Sequence, residues 1–330
     1  MSSLLDPAIL FFVFGVFAGT VKSNLEIPPQ ISRFLSLYLL MALGLKGGFA
    51  LAQSGLTGEV AVSLGLAILL AIVVPAISFQ LLKHFVSGYD AAAIAATYGS
   101  VSAVTFITAV QYLENHQIVY GGHMAASMAL MESPAIIMAV VLANGMRNTS
   151  RIEANSAGFA HGKIHAGTPL SKILHESFTD GAQLLLLGAM LIGIITADAG
   201  KAVMQPFSVD LFKGMLAFFL LDMGLTAARN LPMLKGSSPW LIAYAILAPI
   251  SHATLALSLA VAAGLSAGNS ALLMVLAASA SYIAVPAVVR YAIPEANPSL
   301  YFGLSLGVTF PLNILFGIPI YVAIATKVLD

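Results

Sequence analysis

Ten apolar stretches, on the length scale of the roughly 30 Å hydrocarbon layer of a bilayer, recur along this chain. They run over 7–21, 34–53, 60–83, 90–113, 119–145, 177–197, 209–230, 239–264, 269–293 and 299–326. A segment in lipid must satisfy its own backbone hydrogen bonds, which leaves helices or a closed barrel. Runs of this length, without strict alternation of polar and apolar residues, predict helices. Composition agrees: 59% of the residues are hydrophobic and 8% charged, against about a quarter charged in soluble domains. Fourteen basic and fourteen acidic side chains cannot cover a soluble exterior of this size, so the outer surface is expected to face membrane lipid. Zero net charge leaves no basic footprint for nucleic acid. The absence of cysteine excludes disulfides, thiolate catalysis and cysteine-ligated metals. The segment from Met1 to Pro7 lacks the cationic start of a cleavable signal, and the first apolar run is expected to remain as a span.

The longest polar interruption, 147–176, predicts a connecting loop between two five-helix repeats at 1–146 and 177–330. The halves resemble each other at an offset of about 180 residues. Leu43-Gly44-Leu45 falls opposite Met223-Gly224-Leu225, Pro75 opposite Pro249, and Ser100, Ser102 and Tyr112 opposite Ser279, Ser281 and Tyr291. Five spans per half is an odd number, so the second half enters from the other side, giving the inverted repeats common in secondary transporters. Lys22, Arg33, Lys83, Arg147, Arg151, Lys163, Lys172, Arg229, Lys235 and Arg290 fall on one side, and Lys201, Lys213 and Lys327 on the other. The first side is therefore predicted to be cytoplasmic. A multi-pass protein of the cell's inner (plasma) membrane follows, with both termini external and the central loop inside.

Two spans carry the chemistry. Gly99-Ser100-Val101-Ser102-Ala103-Val104-Thr105 in the fourth and Ser279-Ala280-Ser281-Tyr282 before Pro286 in the ninth are rich in small and hydroxyl residues. Pro286 lacks an amide proton and disturbs the carbonyl one turn earlier, which predicts interrupted helices. Their ends offer amides to an anion and carbonyls to a cation. Ser100, Ser102, Ser279 and Ser281 are the expected substrate contacts, with Thr105 and Tyr282 behind them. The competing reading is that small residues merely let helices pack closely. Ionisable groups within spans are functional candidates. Glu132 and Asp222 are the candidates for ion coupling, and Lys46 is a further one. Glu132 could bind a cation, carry a proton or pair with Lys46. His123 and His252 read as hydrogen-bonded packing residues, and the loop histidines His161, His165 and His175 as solvated side chains rather than metal ligands. Zinc-type His-Glu-x-x-His, Gly-x-Ser-x-Gly and phosphate-loop motifs are absent, arguing against an enzyme or an ATP-driven pump.

These residues resemble the sodium-dependent bicarbonate transporter family of the SbtA type over nearly the whole chain. The most specific stretches are Ala277 to Ile283 with Pro286 and Arg290, Ile293 to Gly303, Gly99 to Thr105, and Met131-Glu132-Ser133-Pro134-Ala135. The resemblance implies an all-α fold of ten transmembrane helices with core and gate domains and an elevator-like motion. It also implies a homotrimer, a PII-like regulatory protein on the cytoplasmic face, and bicarbonate import with Na+ at the crossing of spans 4 and 9. No organic cofactor is implied, sodium being the coupling ion. Where members read Ser-Ser-Ser-Asp, this chain has Ser279-Ala280-Ser281-Tyr282, and where they read Ser-Gly-Ser-Thr it has Ser102-Ala103-Val104-Thr105. Those changes remove a carboxylate and two hydroxyls. The alternatives are the same fold carrying another small solute with H+, or a channel or sensor whose transport has lapsed.

Overall fold

The computed structural model describes residues 5–55, 57–156 and 181–329, and these contain helices and no strands. The helices are α1 (Pro7–Thr20), α2 (Pro29–Ser54), α3 (Gly58–Leu82), α4 (Gly88–Gly99), α5 (Ala103–Asn115), α6 (Met124–Ser156) and α7 (Gly181–Gln205). They continue with α8 (Phe212–Asn230), α9 (Pro239–Ala263), α10 (Ala267–Ala278), α11 (Ala284–Ala292) and α12 (Pro298–Leu329), the last mixing α- and π-turns. Local chemistry sets the starts. The Asp6 carboxylate accepts the Ala8 amide at 2.8 Å ahead of Pro7, and Ser87 accepts that of Asp90 at 3.1 Å, each satisfying an orphan donor.

Among the described residues, six stretches are long and apolar enough to cross a membrane: Pro29–Ser54, Gly58–Leu82, Gly88–Asn115, Gly181–Leu234, Pro239–Ala263 and Pro298–Leu329. Pro7–Thr20, Met124–Met138 and Ala267–Ala278 are shorter apolar helices. Phe17, Ile195 and Leu247 point outward, as a lipid-facing exterior requires.

Two boundaries differ from expectation. The stretch read as a loop from Arg147 continues as helix to Ser156. Arg151-Ile152-Glu153-Ala154 keeps helix-favouring residues, so polarity marks an exit from the apolar layer rather than a helix end. The rest of that stretch, with His161, His165 and His175, lies outside the described residues. The span expected to end at Ala197 instead bends there, at φ 45°, and continues to Gln205.

Packing is paired. α1 lies along α8 and α2 along α7; α3 packs on α4 and α6, and α9 on α10 and α12. Backbones touch where side chains are missing. A Cβ on Gly224 would meet the Phe12 carbonyl, and one on Gly48 the Met190 carbonyl. Such close approach brings dispersion contacts between helices that lipid cannot drive together hydrophobically.

Candidate substrate site at two broken helices

α4 ends at Gly99 and α5 begins at Ala103, with Ser100 extended (φ −95°, ψ −175°). α10 ends at Ala278 and α11 begins at Ala284, with Ser279 extended (φ −80°, ψ 164°). The causes are local. The Ser102 hydroxyl accepts the Thr105 amide at 3.2 Å and starts α5. Pro286 lies in the first turn of α11, where its missing donor is least costly, and the Ser281 hydroxyl accepts the Val285 amide at 3.3 Å.

The two breaks hold each other. The Ser102 amide donates to the Ser279 hydroxyl at 3.0 Å, and the Ser281 amide donates to the Thr97 carbonyl at 2.8 Å. Ser279 passes its own proton to the Leu276 carbonyl at 2.9 Å, and Thr105 donates to the Ser102 hydroxyl at 2.9 Å. From α12, the Asn313 amide caps the Ala278 carbonyl at 2.8 Å. The Ser100 hydroxyl stays buried without a hydrogen bond, and the buried Tyr282 hydroxyl lies against Ser102. An unmet polar group in such a place costs about 1–3 kcal/mol, and it is the kind of group a ligand satisfies.

A cavity of about 230 Å3 opens against this crossing, and its polar lining is Ser36, Ser102, Glu132, Gln183, Ser281 and Tyr282. Among the described residues no lysine, arginine or histidine lines it. Its one carboxylate, Glu132, accepts from the Gln183 side-chain amide at 2.7 Å. The structure thus brings together Ser102, Ser281, Tyr282 and Glu132. Ser279 and Thr105 lie behind the wall, bonded into the crossing, and Ser100 is buried there too. Asp222 does not itself line the cavity; it is buried on α8 with Ser32 and Arg229 as polar neighbours, near enough for its charge to act on the lining residue Tyr282.

Lys46 does not pair with Glu132. Its ammonium meets both carboxylate oxygens of Glu114 at 2.9 and 3.0 Å and lies 4.2 Å from the centre of the Phe212 ring. Neither His123 nor His252 lines the cavity, and each has one buried ring nitrogen without a partner. Burial pushes the His123 imidazole below the ordinary histidine range, against the pull of Glu59. Among the described residues no group of three or more histidine or acidic side chains could hold a metal ion.

Sequence reasoning missed Gln183, Asn313 and Thr97. Gln183 and Asn313 were visible as isolated amides in apolar runs, but Thr97 acts through its backbone carbonyl and left no side-chain signal.

Apolar helices with outward-facing hydrophobic side chains, enclosing a small polar cavity built on helix ends among the described residues, fit the class of membrane transporters. The match with the model of the Na+-dependent bicarbonate transporter superfamily extends over residues 7–326, and the chain belongs to that family. It is a family of transporters and not of enzymes. No curated protein matches the chain.

Proposed function

We propose that the chain imports bicarbonate together with sodium across the inner (plasma) membrane, binding the anion at the crossing of the two broken helices. The observation that supports this reading is the crossing itself: two broken helices meet at one small cavity whose polar lining is Ser36, Ser102, Glu132, Gln183, Ser281 and Tyr282. A bare anion about 4 Å from an ionised carboxylate is repelled by roughly 4 kcal/mol at an effective dielectric of 20. A cation bound between them turns that repulsion into attraction, so anion and cation enter together. The amides of Ala103 and Val104 in the first turn of α5 and of Ala284 at the start of α11, with the hydroxyl protons of Ser102 and Ser281, suit the anion. The oxygens of Glu132, Gln183 and Tyr282 suit sodium, a hard cation that takes oxygen ligands. Ser100, Ser279 and Thr105 hold the crossing in shape, and Asp222 stays a coupling candidate outside the cavity.

Inverted repeats are supported by the paired packing and by matching breaks about 180 residues apart. Ten crossings follow when Gly181–Leu234 is counted as α7 and α8, and α1, α6 and the α10–α11 pair each cross as well. In this reading α1, α2, α7 and α8 form the gate domain and the remaining helices the moving core of an elevator. The loop charges put both termini outside and the connecting segment in the cytoplasm. The family resemblance adds a homotrimer and a PII-like regulator on the cytoplasmic face, and no organic cofactor.

Two variants test the site. Replacing Ser102 and Ser281 together by alanine is expected to abolish saturable uptake at unchanged membrane expression; unchanged uptake contradicts the placement. Glu132→Gln is expected to remove sodium stimulation, and full sodium-stimulated uptake in that variant contradicts the charge argument. Uptake driven by a pH jump without sodium would transfer the coupling to protons.

A further inference from the structure

A carbonyl that a proline strands inside a buried helix needs a donor from elsewhere. Pro249 lies within α9 and lacks the amide that would bond the Ala245 carbonyl one turn earlier. The donor comes from α12: the Thr309 hydroxyl gives its proton to that carbonyl at 2.7 Å. A carbonyl only accepts and a hydroxyl has one proton, so the other bond of Thr309, to the Tyr98 hydroxyl at 2.6 Å, must carry the proton of the tyrosine. The chain therefore runs in one direction, from Tyr98 through Thr309 to Ala245. Tyr98 and Thr309 are 1% and 0% exposed, and the Tyr98 ring is also held edge-on against Tyr244 at 5.0 Å.

The chain begins at the first break. Tyr98 is the last residue but one of α4 and follows Thr97, whose carbonyl receives the Ser281 amide. Thr309 closes a π-turn over Gly303–Thr309, and Asn313 opens another over Asn313–Gly317; such wide turns recur at functional sites. Four residues apart on α12, the two side chains share a face. Thr309 thereby holds the end of α4 and Asn313 the end of α10. Between them Phe310 meets the Tyr282 ring of the cavity at 5.2 Å. Apolar packing fixes volume, whereas a satisfied hydrogen-bond chain fixes distance and direction.

We infer that Tyr98 and Thr309 are positioning residues for the crossing, setting the first broken helix against the second so that the bonds made by the Ser102 and Ser281 amides form in register. Neither lines the cavity. Both act through Thr97 and the turn from Ser100 to Ser102 rather than by touching a solute. The inference rests on the proposed transport only where uptake is the readout.

Tyr98→Phe removes one hydroxyl and leaves the Ala245 carbonyl satisfied by Thr309, so the fold is kept while α4 loses its anchor. Hydrogen exchange in peptides covering 97–105 and 276–285 of the purified protein is expected to rise severalfold, with exchange in α1 and α7 unchanged. In proteoliposomes the half-saturating bicarbonate concentration is expected to rise about fivefold, the scale of one lost hydrogen bond, at an unchanged maximal rate. Thr309→Val is expected to give both effects, and Thr309→Ser, which restores the hydroxyl, to rescue them. Unchanged exchange at both breaks, exchange that rises in all helices alike, or faster exchange at the breaks with an unaltered half-saturating concentration would each overturn the positioning role. If the unaltered chain takes up no bicarbonate while exchange at the breaks still depends on the Tyr98 hydroxyl, the role stands and the transport reading falls.

Discussion

Asn313 determines how the second break is held. Its amide satisfies the last carbonyl of α10, and its oxygen accepts from the Tyr321 hydroxyl at 3.3 Å, so Ser279 and Ser281 start from a fixed point. Asn313→Leu keeps the branched shape in a bulkier side chain and strands the Ala278 carbonyl, at a cost of about 1–3 kcal/mol. A lower thermal midpoint together with reduced uptake is the expected outcome, and wild-type values of both would remove Asn313 from the support of the site. His123 makes a second prediction. Its folded pKa lies below the ordinary value of about 6.5, so on acidification the unfolded chain takes up a proton first. That contribution to stability is complete above the ordinary value and is lost as pH falls through it toward the folded pKa. His123→Gln is expected to narrow the difference between thermal midpoints measured at about pH 7.5 and 5.5, on either side of that value. Ser102, Ser281, Tyr282 and Glu132 were legible because hydroxyl clusters and a lone carboxylate in apolar runs are costly unless used. Gln183 and Asn313 showed only as isolated amides in apolar runs, and their roles were hidden because their partners lie 51 and 35 residues away.

Among the elements, the α1–α8 and α2–α7 pairs depend on missing side chains. Gly224→Val would force the α8 backbone away from Phe12 and Val16; a small-to-large change in a packed interface costs typically 1–3 kcal/mol. The expected result is a protein that is less stable in detergent, whereas Gly214→Ala, where a Cβ meets open space, leaves stability unchanged. Equal behaviour of the two would mean that the close approach does not hold the pair. The helices and both breaks were readable from hydropathy, serine clusters and Pro286. Helix ends were not. Arg147 leaves the apolar layer without leaving the helix, and Ala197 bends α7 through a backbone angle that alanine does not advertise. The partner of Lys46 was equally hidden, since Glu114 lies at the far end of another helix and reaches it only after α2 packs beside α5.

For the molecule as a whole, packing brings both broken helices to one crossing, against which a small polar cavity opens. In the proposed reading, a cavity with a carboxylate and helix-end amides takes up an anion together with a cation. Tyr282 stands where the resemblance implies an aspartate, and in the proposed reading Glu132 supplies the negative charge that meets the cation. Radiolabelled bicarbonate uptake into proteoliposomes, with and without an inward sodium gradient, tests this most directly. The account predicts accumulation that requires the gradient and saturates in both ions. Uptake of equal extent without sodium and without a pH gradient would contradict it.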